Sequence, residues 1–337
     1  MDSQEIIFHE CLAARKQCVL FDHPNRGMIE VRGKDRVQFL HNVLSNDIKS
    51  LSPGKGIAAC LLNAQAELIA IMNVLCFKEF LWLALDYSLK NRLFQALQKL
   101  IVMEQVDLKD KSDETKLISI HGPKANGLLQ NILNSKSVPQ AMLSHVSVTI
   151  EGVPSTLVRI NMTGDTGFGF LAPKEHGLVL RKIIQQKGSA FGLTEIQAQT
   201  LETLRIERGI LRYGIDYDES HIPLEAGLNH TVSFTKGCFP GQEILARLDS
   251  RGGVAKKLIG LELKGESIPK KGDSIIKDSN AVGHITSAAF SPILKRTVAI
   301  GYLPKECWIP GSPVIVETGG VQIPARVATL PFYSPSI

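Results

Sequence analysis

The sequence changes character at Lys256, and this change limits the possible folds more than any other feature. Beyond it, short apolar segments alternate with Gly, Pro and Asp, and none has the apolar spacing of a helix. These segments are Leu258–Leu263, Val282–Ser287, Thr297–Tyr302, Pro313–Glu317 and Val321–Ala328. A series of short strands without a helix predicts a small closed β domain at the carboxyl end. The chain has 337 residues, so more than one domain is expected.

The residues before Lys256 alternate between predicted strands and helices. Cys18–Asp22 and Met28–Arg32 flank a Pro-Asn-Arg-Gly turn and predict a hairpin. A short helix after Asp35 and a leucine-striped helix at Leu89–Ile101 are also predicted. The strands between these helices are Ile57–Leu62, Leu68–Phe77 and Phe80–Leu85. This order favours an α+β layer over a regular βαβ winding.

A second α+β unit follows with a looser pattern. Its predicted elements are strand Lys116–His121, a helix near Ala125–Leu133, strands His145–Ile150, Ser155–Ile160 and Gly167–Ala172, and two further helices. The Gly-rich segment 164–169 precedes a strand, whereas a dinucleotide-binding loop precedes a helix, so it is interpreted as a structural turn. We therefore predict an α+β chain in three parts, residues 1–115, 116–250 and 251–337.

Several classes of protein are excluded by the composition. No run of 18 apolar residues is present, and the acidic start Met1–Glu5 is unlike a secretory or transit signal, so a cytoplasmic protein without a membrane span is expected. The six cysteines form no Cys-x-x-Cys pair, and the nine histidines form no metal-binding pattern, so neither a disulfide scaffold nor a metal site is predicted. A net charge of +5 suits an anionic small ligand.

The second of the late helices carries a candidate carboxylate, Glu207. Thr194 is its predicted N-cap, and Thr200, Leu204 and Glu207 share one helical face. If that face meets the core, the carboxylate is partly buried and needs partners. The partner is either Arg205 or Arg208, or a ligand with two adjacent N–H donors such as the amino-pyrimidinone edge of a pterin.

The segment Lys236–Glu243, Lys-Gly-Cys-Phe-Pro-Gly-Gln-Glu, is the most distinctive of the chain. Its glycines and proline restrain the backbone, and a short helix is predicted just after Pro240. Cys238 would then lie at a helix N-terminus near Lys236, where a thiol becomes more acidic and more nucleophilic. The alternative is that Cys238 is a small buried residue in a tight turn.

The residues from 236 to 257 are rich in cations. The cations are Lys236, Arg247, Arg251, Lys256 and Lys257, against the acids Glu243 and Asp249. This stretch is either a solvated face or a binding surface for a polyanion such as a polyglutamate tail or RNA.

The segment 236–243 resembles the signature of the YgfZ-type folate-binding proteins, which are relatives of the glycine cleavage T protein. The resemblance includes Leu204–Gly209 and Tyr213–Asp216, and it covers most of the chain. Its other segments are Leu44–Asp47, Pro223–Ala226 and Val282–Ser287.

The resemblance implies two interleaved α+β layers and a C-terminal β-barrel around a central hole that binds tetrahydrofolate or a one-carbon derivative. It implies that Glu207 holds the pterin, with Arg205, Arg247 and Gln242 as further folate-site residues. Cys238, with Lys236 beside it, corresponds to the family's signature thiol. The implied role is support of iron-sulfur enzymes or their assembly factors, and indirectly of tRNA modification, by a protein expected to be a monomer.

Departures from the T protein concern its catalytic residues. No aspartate occurs in the stretch from Leu62 to Ile71, and Ala58 stands where the T protein has a tyrosine. General acid–base work on an aminomethyl adduct needs a positioned carboxylate, so aminomethyl transfer is not favoured. Two alternatives stay open: a folate-dependent one-carbon transferase or demethylase, and an RNA-docking protein that makes a weak tRNA contact through the 236–257 stretch.

Overall fold

A computed structural model describes residues 3–133 and 138–334 of the chain. Its helices are α1 (Ser3–Lys16), α2 (Arg36–Val43), α3 (Lys90–Leu100), α4 (Ala125–Leu133), α5 (Gly177–Gly188), α6 (Ala198–Arg208) and α7 (Gln242–Ser250). Its strands are β1 (Cys18–Asp22), β2 (Gly27–Arg32), β3 (Gly56–Leu62), β4 (Leu68–Cys76), β5 (Leu81–Leu85), β6 (Asp107–Asp110), β7 (Thr115–His121), β8 (His145–Ile150), β9 (Val153–Ile160), β10 (Gly167–Pro173), β11 (Leu193–Glu195), β12 (Lys256–Leu263), β13 (Ser274–Lys277), β14 (Asn280–Ser291), β15 (Arg296–Pro304), β16 (Pro313–Thr318) and β17 (Val321–Ala328).

The first two strands belong to different sheets, so the predicted opening hairpin is wrong. Strand β1 lies between β11 and β7 in a six-stranded sheet of order β11-β1-β7-β10-β9-β8. Strand β2 lies between β5 and β6 in a five-stranded sheet of order β3-β4-β5-β2-β6. The Pro-Asn-Arg-Gly segment forms the connection by which the chain crosses from one sheet to the other. This crossing interleaves the two α+β units, and the predicted boundary at residue 115 places β1 with the first unit although its sheet belongs to the second.

The predicted start of helix α6 is also wrong. Thr194 lies in strand β11, where it pairs in parallel with Val19 of β1, and the helix begins at Ala198 after Gln197. The open edge of β1 offers backbone hydrogen-bonding groups to this segment. The backbone hydrogen bonds that Leu193–Glu195 forms with β1 stabilise the segment more than a helix cap at Thr194 would.

Each sheet is covered by helices on one face, and the uncovered faces meet. Helices α4 and α5 pack on the six-stranded sheet, and α2 and α3 pack on the five-stranded sheet. The opposite faces, called here the inner faces, touch each other through an apolar cluster that includes Met28, Leu75 and Leu171. Helices α1 and α6 cover the rest of the inner face near β1 through Ala14, Val19 and Leu204.

The C-terminal residues form a closed six-stranded barrel of order β12-β15-β14-β13-β16-β17, as predicted. Strand β13 is the strand that the sequence pattern missed, because it has only four residues. Side chains that alternate along the strands, such as Leu261, Val316 and Val327, fill the barrel interior. No helix within residues 3–133 and 138–334 has the length and apolar character needed to cross a bilayer.

A histidine is fully buried in the six-stranded sheet. His121 of β7 is 0% exposed, and neither ring nitrogen has a hydrogen-bond partner among the residues that the structure describes. Its ring occupies the space above Gly167 of β10, where a Cβ would lie 2.1 Å from Nδ1. Burial, with a smaller contribution from Arg159, lowers the pKa of His121 to about 3, so the ring is neutral in the folded protein.

Acid is therefore expected to destabilise the protein through His121. The pKa of this histidine is near 6.5 in the unfolded chain and about 3 in the folded protein. Its contribution to the free energy of unfolding is therefore fully present above pH 6.5 and is lost as the pH falls toward 3. At pH 5 the loss due to this residue is about 2 kcal/mol. The test is to measure the free energy of unfolding in urea at pH 7.5 and at pH 5. Between these two pH values, it should fall by about 2 kcal/mol less in His121→Leu than in the wild type. An equal loss in both proteins would contradict the assignment.

Candidate functional site

The signature segment 236–243 is tied to the end of helix α2 through Lys236. This side chain is 8% exposed, and its ammonium donates hydrogen bonds to the carbonyl oxygens of His41 and, at 2.5 Å, Leu44. Carbonyls at a helix C-terminus lack partners within the helix and attract cations. Burial lowers the pKa of Lys236 to about 8, against the opposing effects of Asp47 and Cys238.

The middle of the segment is fixed by packing against the β3–β4 turn. The Phe239 ring is buried in a core cluster with Leu62 and Leu245. Gly241 has a φ of 79°, and a Cβ there would lie 2.6 Å from the Cα of Ala66. Only glycine fits both the backbone angle and this close approach. The segment is therefore held rigidly on both sides of Cys238.

Cys238 itself is exposed, while the other five cysteines of the chain are buried. The interpretation of Cys238 as a buried turn residue is therefore wrong. The predicted place at a helix N-terminus is also wrong, because α7 begins at Gln242 and its N-cap is Gly241. A helix dipole acts mainly within the first turn, so α7 is not the source of any thiol activation. Lys236 remains a charged neighbour of Cys238, although its ammonium points at carbonyl oxygens.

The Leu44–Asp47 motif meets the segment that leads into the signature. Ser45 Oγ donates to the Thr231 carbonyl at 2.6 Å, and Asn46 Nδ2 donates to the His230 carbonyl at 3.0 Å. Asp47 lies 3.2 Å from the ring of His41. The Leu44–Asp47 motif and the signature segment, about 190 residues apart in sequence, are thus joined through hydrogen bonds of buried residues.

Glu207 is fully buried at the end of α6, as the helical spacing predicts, but its partner is neither Arg205 nor Arg208. The guanidinium of Arg15 from α1 donates to one carboxylate oxygen, and Ser291 Oγ donates to the other at 2.5 Å. Arg15 also donates to Asp165 at 2.6 Å, where burial raises the pKa of the acid although Arg15 opposes this. Both oxygens of Glu207 are therefore engaged inside the protein, and neither is presented to a ligand.

The remaining predicted folate residues have separate places. Arg205 is buried and donates to Asp216 at 2.6 Å and to Ser287 Oγ at 2.7 Å, so it joins α6 to the barrel. Gln242 is half-buried at the start of α7, and Arg247 is exposed on the same helix. The predicted residues therefore fall into two groups, one with Glu207 and Arg205 beside the barrel and one with Cys238 beside α7.

Only some of the cations in residues 236–257 are available on the protein surface. Lys236 is buried, Lys257 lies over the Trp308 ring at 4.1 Å, and Lys256 lies over the Tyr302 ring at 5.7 Å. Arg247 and Arg251 are exposed and make no side-chain hydrogen bond or ion pair within the described residues. Together with the exposed Lys256 these arginines make three exposed cations, which is few for RNA, since RNA is bound through many phosphate contacts.

A row of partly exposed residues, called here the recess, lies on the inner face of the five-stranded sheet. Ala84 of β5, Asn73 of β4 and Ala58 of the edge strand β3 pair with one another across the sheet, and all three stay partly exposed. Their neighbour in this row, Met28, is fully buried. Short side chains leave the face open where larger ones would meet the opposite sheet. Ala58, noted above as a departure from the T protein, is one wall of this recess.

Comparisons with known proteins agree along the whole chain. The family described as "GCVT N-terminal domain" matches residues 1–236, and "Glycine cleavage T-protein C-terminal barrel domain" matches residues 256–334. An aminomethyltransferase of Nostoc sp. is 31% identical over 98% of this chain and 88% of its own length. That of Thermotoga maritima is 30% identical over 98% of this chain and 90% of its own length. The glycine cleavage system aminomethyltransferase T from Bartonella henselae shares the fold, with a TM-score of 0.88 at 22% identity over 98% of this chain and 90% of that one.

Proposed function

Because the chain belongs to the glycine cleavage T-protein family, we propose that it binds tetrahydrofolate or a one-carbon derivative and serves iron-sulfur enzymes in the cytoplasm through the Cys238 thiol. This places it in the YgfZ-type branch of the family, to which its signature segment is similar. Support of tRNA modification, including methylthiolation, then follows indirectly from the enzymes that it serves.

The observation that carries this proposal is the exposure of Cys238 on a segment whose other anchors are buried. Lys236, Phe239 and Gly241 are engaged in hydrogen bonds and packing, and Cys238 is left to face solvent. A thiol held in this way can reach a partner's cluster or thiol. A single cysteine leaves the coordination of an iron cluster incomplete, so any such contact is shared with ligands of the partner.

The recess on the inner face supports the binding of a flat pterin ring. It consists of Ala84, Asn73 and Ala58, which are small or polar and stay partly exposed. Tetrahydrofolate carries one-carbon units, and when bound it would supply that chemistry. The residues present can bind and orient the ring and exclude water from it.

A folate-dependent one-carbon transferase is the second candidate, and the names of relatives that are 30–31% identical over 98% of the chain favour it. Against it, the stretch from Leu62 to Ile71 has no aspartate. The one carboxylate of that stretch, Glu67, accepts a hydrogen bond from Asn63 Nδ2 at 2.6 Å. Turnover of an aminomethyl donor with tetrahydrofolate would establish this second function.

Cys238→Ser tests the thiol role. We expect the variant to restore less than about a tenth of the iron-sulfur enzyme activity that the wild type restores in cells lacking the protein, because serine is a poor ligand and nucleophile at neutral pH. Tetrahydrofolate binding by the purified variant should stay within about twofold of a micromolar wild-type Kd. Iodoacetamide should label one thiol in the native wild type and none in Cys238→Ser.

Cys76→Ser is the matched control, because Cys76 is 6% exposed. In Cys76→Ser, iodoacetamide should still label one thiol, and the variant should support iron-sulfur enzymes as well as the wild type does. Full support by Cys238→Ser would rule out the thiol mechanism, and a wild type that does not bind tetrahydrofolate would rule out the folate part of the proposal.

A further inference from the structure

Gly237, between Lys236 and Cys238, is a glycine that the fold itself does not require. All 28 glycines of the chain lie in its described part. Seventeen of them have a positive φ, which favours glycine over residues with a side chain. At ten others, a Cβ would lie 3.1 Å or less from an atom of another residue. Gly237 has neither constraint, because its φ lies outside the left-handed region and a Cβ there would have no atom within 4 Å apart from its chain neighbours.

A need for a flexible main chain does not explain this glycine either. The Lys236 ammonium before it donates to the Leu44 carbonyl at 2.5 Å, and the Phe239 ring after it is buried in a core cluster. The main chain is therefore held on both sides of residue 237. A glycine in such a place lowers stability, because it gives the unfolded chain more freedom than alanine would.

Glycine is also used where a ligand or another chain approaches the main chain closely. Gly237 is exposed, so an approach from outside the protein is open to it. Within residues 3–133 and 138–334, the backbone N–H groups of Gly237 and Cys238 donate no hydrogen bond. The missing side chain thus leaves an empty, accessible space directly beside the Cys238 thiol.

The same short segment carries an exposed aromatic ring. Phe234 is 39% exposed, three residues before Gly237, although its size favours burial. Exposed aromatic rings are enriched where one protein binds another. An apolar ring, free backbone donors and a thiol on one segment are therefore typical of a protein-binding surface.

We infer that a partner protein occupies the space beside Gly237 when its sulfur-bearing group, a thiol or a cluster, meets Cys238. The inference rests on the proposed function and deepens it, because it assigns the substance that reacts at Cys238 to proteins and not to small sulfur compounds. Gly237 is a positioning residue in this arrangement, and Cys238 makes the contact.

The size of the reacting partner decides whether residue 237 matters. A sulfide ion or a small thiol reaches the exposed Sγ from several directions, so a side chain at 237 does not exclude it. A protein approaches with a broad surface, and a side chain at 237 holds that whole surface away from Cys238. A misplacement of about 1 Å can lower a reaction rate about 100-fold.

The test is Gly237→Val, with Gly237→Ala as a smaller step. In cells lacking the protein, Gly237→Val is expected to restore less than about a tenth of the iron-sulfur enzyme activity that the wild type restores, and Gly237→Ala an intermediate share. Iodoacetamide is small, so it should label Cys238 in purified Gly237→Val at a rate within about twofold of wild type, and the Kd of tetrahydrofolate should change as little. Both variants should unfold at or above the wild-type temperature.

Ala246→Val is the matched control, because it adds methyl groups at an exposed position of α7 outside the segment. It should leave the support of iron-sulfur enzymes, the labelling rate and the Kd unchanged.

Each other outcome contradicts the inference in its own way. Full support by Gly237→Val would overturn it, and the proposed function would stand if Cys238→Ser gave no support in the same cells. Slower iodoacetamide labelling would show that the new side chain shields the thiol from any reagent, and a raised Kd would assign the space to folate, so either would overturn it. A lower unfolding temperature of both glycine variants would reveal a structural need for glycine and overturn it. Full support by Cys238→Ser would overturn the proposed function and this inference with it.

Discussion

Replacing Arg15 with methionine is expected to lower the free energy of unfolding by about 3–5 kcal/mol. Arg15 is the shared partner of two buried carboxylates, Glu207 and Asp165, and it also donates to the Thr163 carbonyl at 2.5 Å. Its guanidinium lies 3.6 Å from the centre of the Tyr333 ring. Methionine fills much of the same volume but leaves both carboxylates without their cation. Chemical denaturation at pH 7 measures the loss.

A double-mutant cycle identifies the source of this loss. Glu207→Gln removes one of the two charges, so adding it to Arg15→Met should recover part of the stability. Arg326→Met is the matched control, and because its side chain is exposed it should stay within about 0.5 kcal/mol of wild type. If Arg15→Met were as stable as the control, the ion pairs of Arg15 would not stabilise the packing of α1 and α6 against the barrel, and the prediction would be wrong.

Replacing Lys236 with methionine is expected to cost about 2–4 kcal/mol of unfolding free energy. The ammonium donates to the His41 and Leu44 carbonyls at the end of α2, and methionine leaves both without that donor. The cost of burying the charge, seen in the pKa of about 8, offsets part of these hydrogen bonds. Urea unfolding measures the loss, and the rate of Cys238 alkylation at pH 7 is followed in the same samples.

The two readouts separate an anchoring role from an electrostatic one. We expect Lys236→Met to lose stability without slowing alkylation, because the ammonium points at carbonyl oxygens. Lys49→Met removes an exposed lysine near Lys236 and should change neither readout. Slower alkylation at unchanged stability would show instead that Lys236 acts by stabilising the thiolate of Cys238.

Local patterns in the sequence predicted most of the elements and several faces. Five of the six barrel strands and α4 are predicted by the local pattern, and the burial of Glu207 follows from its position relative to Thr200 and Leu204. Such patterns work because the period of an element determines which side chains share a face. The signature segment was singled out for the same local reason, since its glycines and proline restrain the backbone in any fold.

Local sequence patterns do not predict which strands pair when the strands are far apart in the chain. Helix α1 went unpredicted, β1 was placed in a hairpin, and Thr194 was read as a helix cap although it extends the β1 sheet. For β1 and Thr194 the strand partner lies more than 90 residues away in sequence, as β7 and β11 do from β1. The stabilisation from these partners is invisible to any local pattern.

The charged residues show most clearly what the sequence determines and what only the tertiary structure determines. The sequence by itself determined that Glu207 would be buried and that the Cys238 segment would be rigid, because both follow from local geometry. Only the tertiary structure decided that Arg15 is the partner of Glu207 and that Lys236 bonds to the carbonyl oxygens at the end of α2. The physical reason is that a buried charge is stabilised by whatever group the fold brings within hydrogen-bond distance, and that group depends on which elements meet.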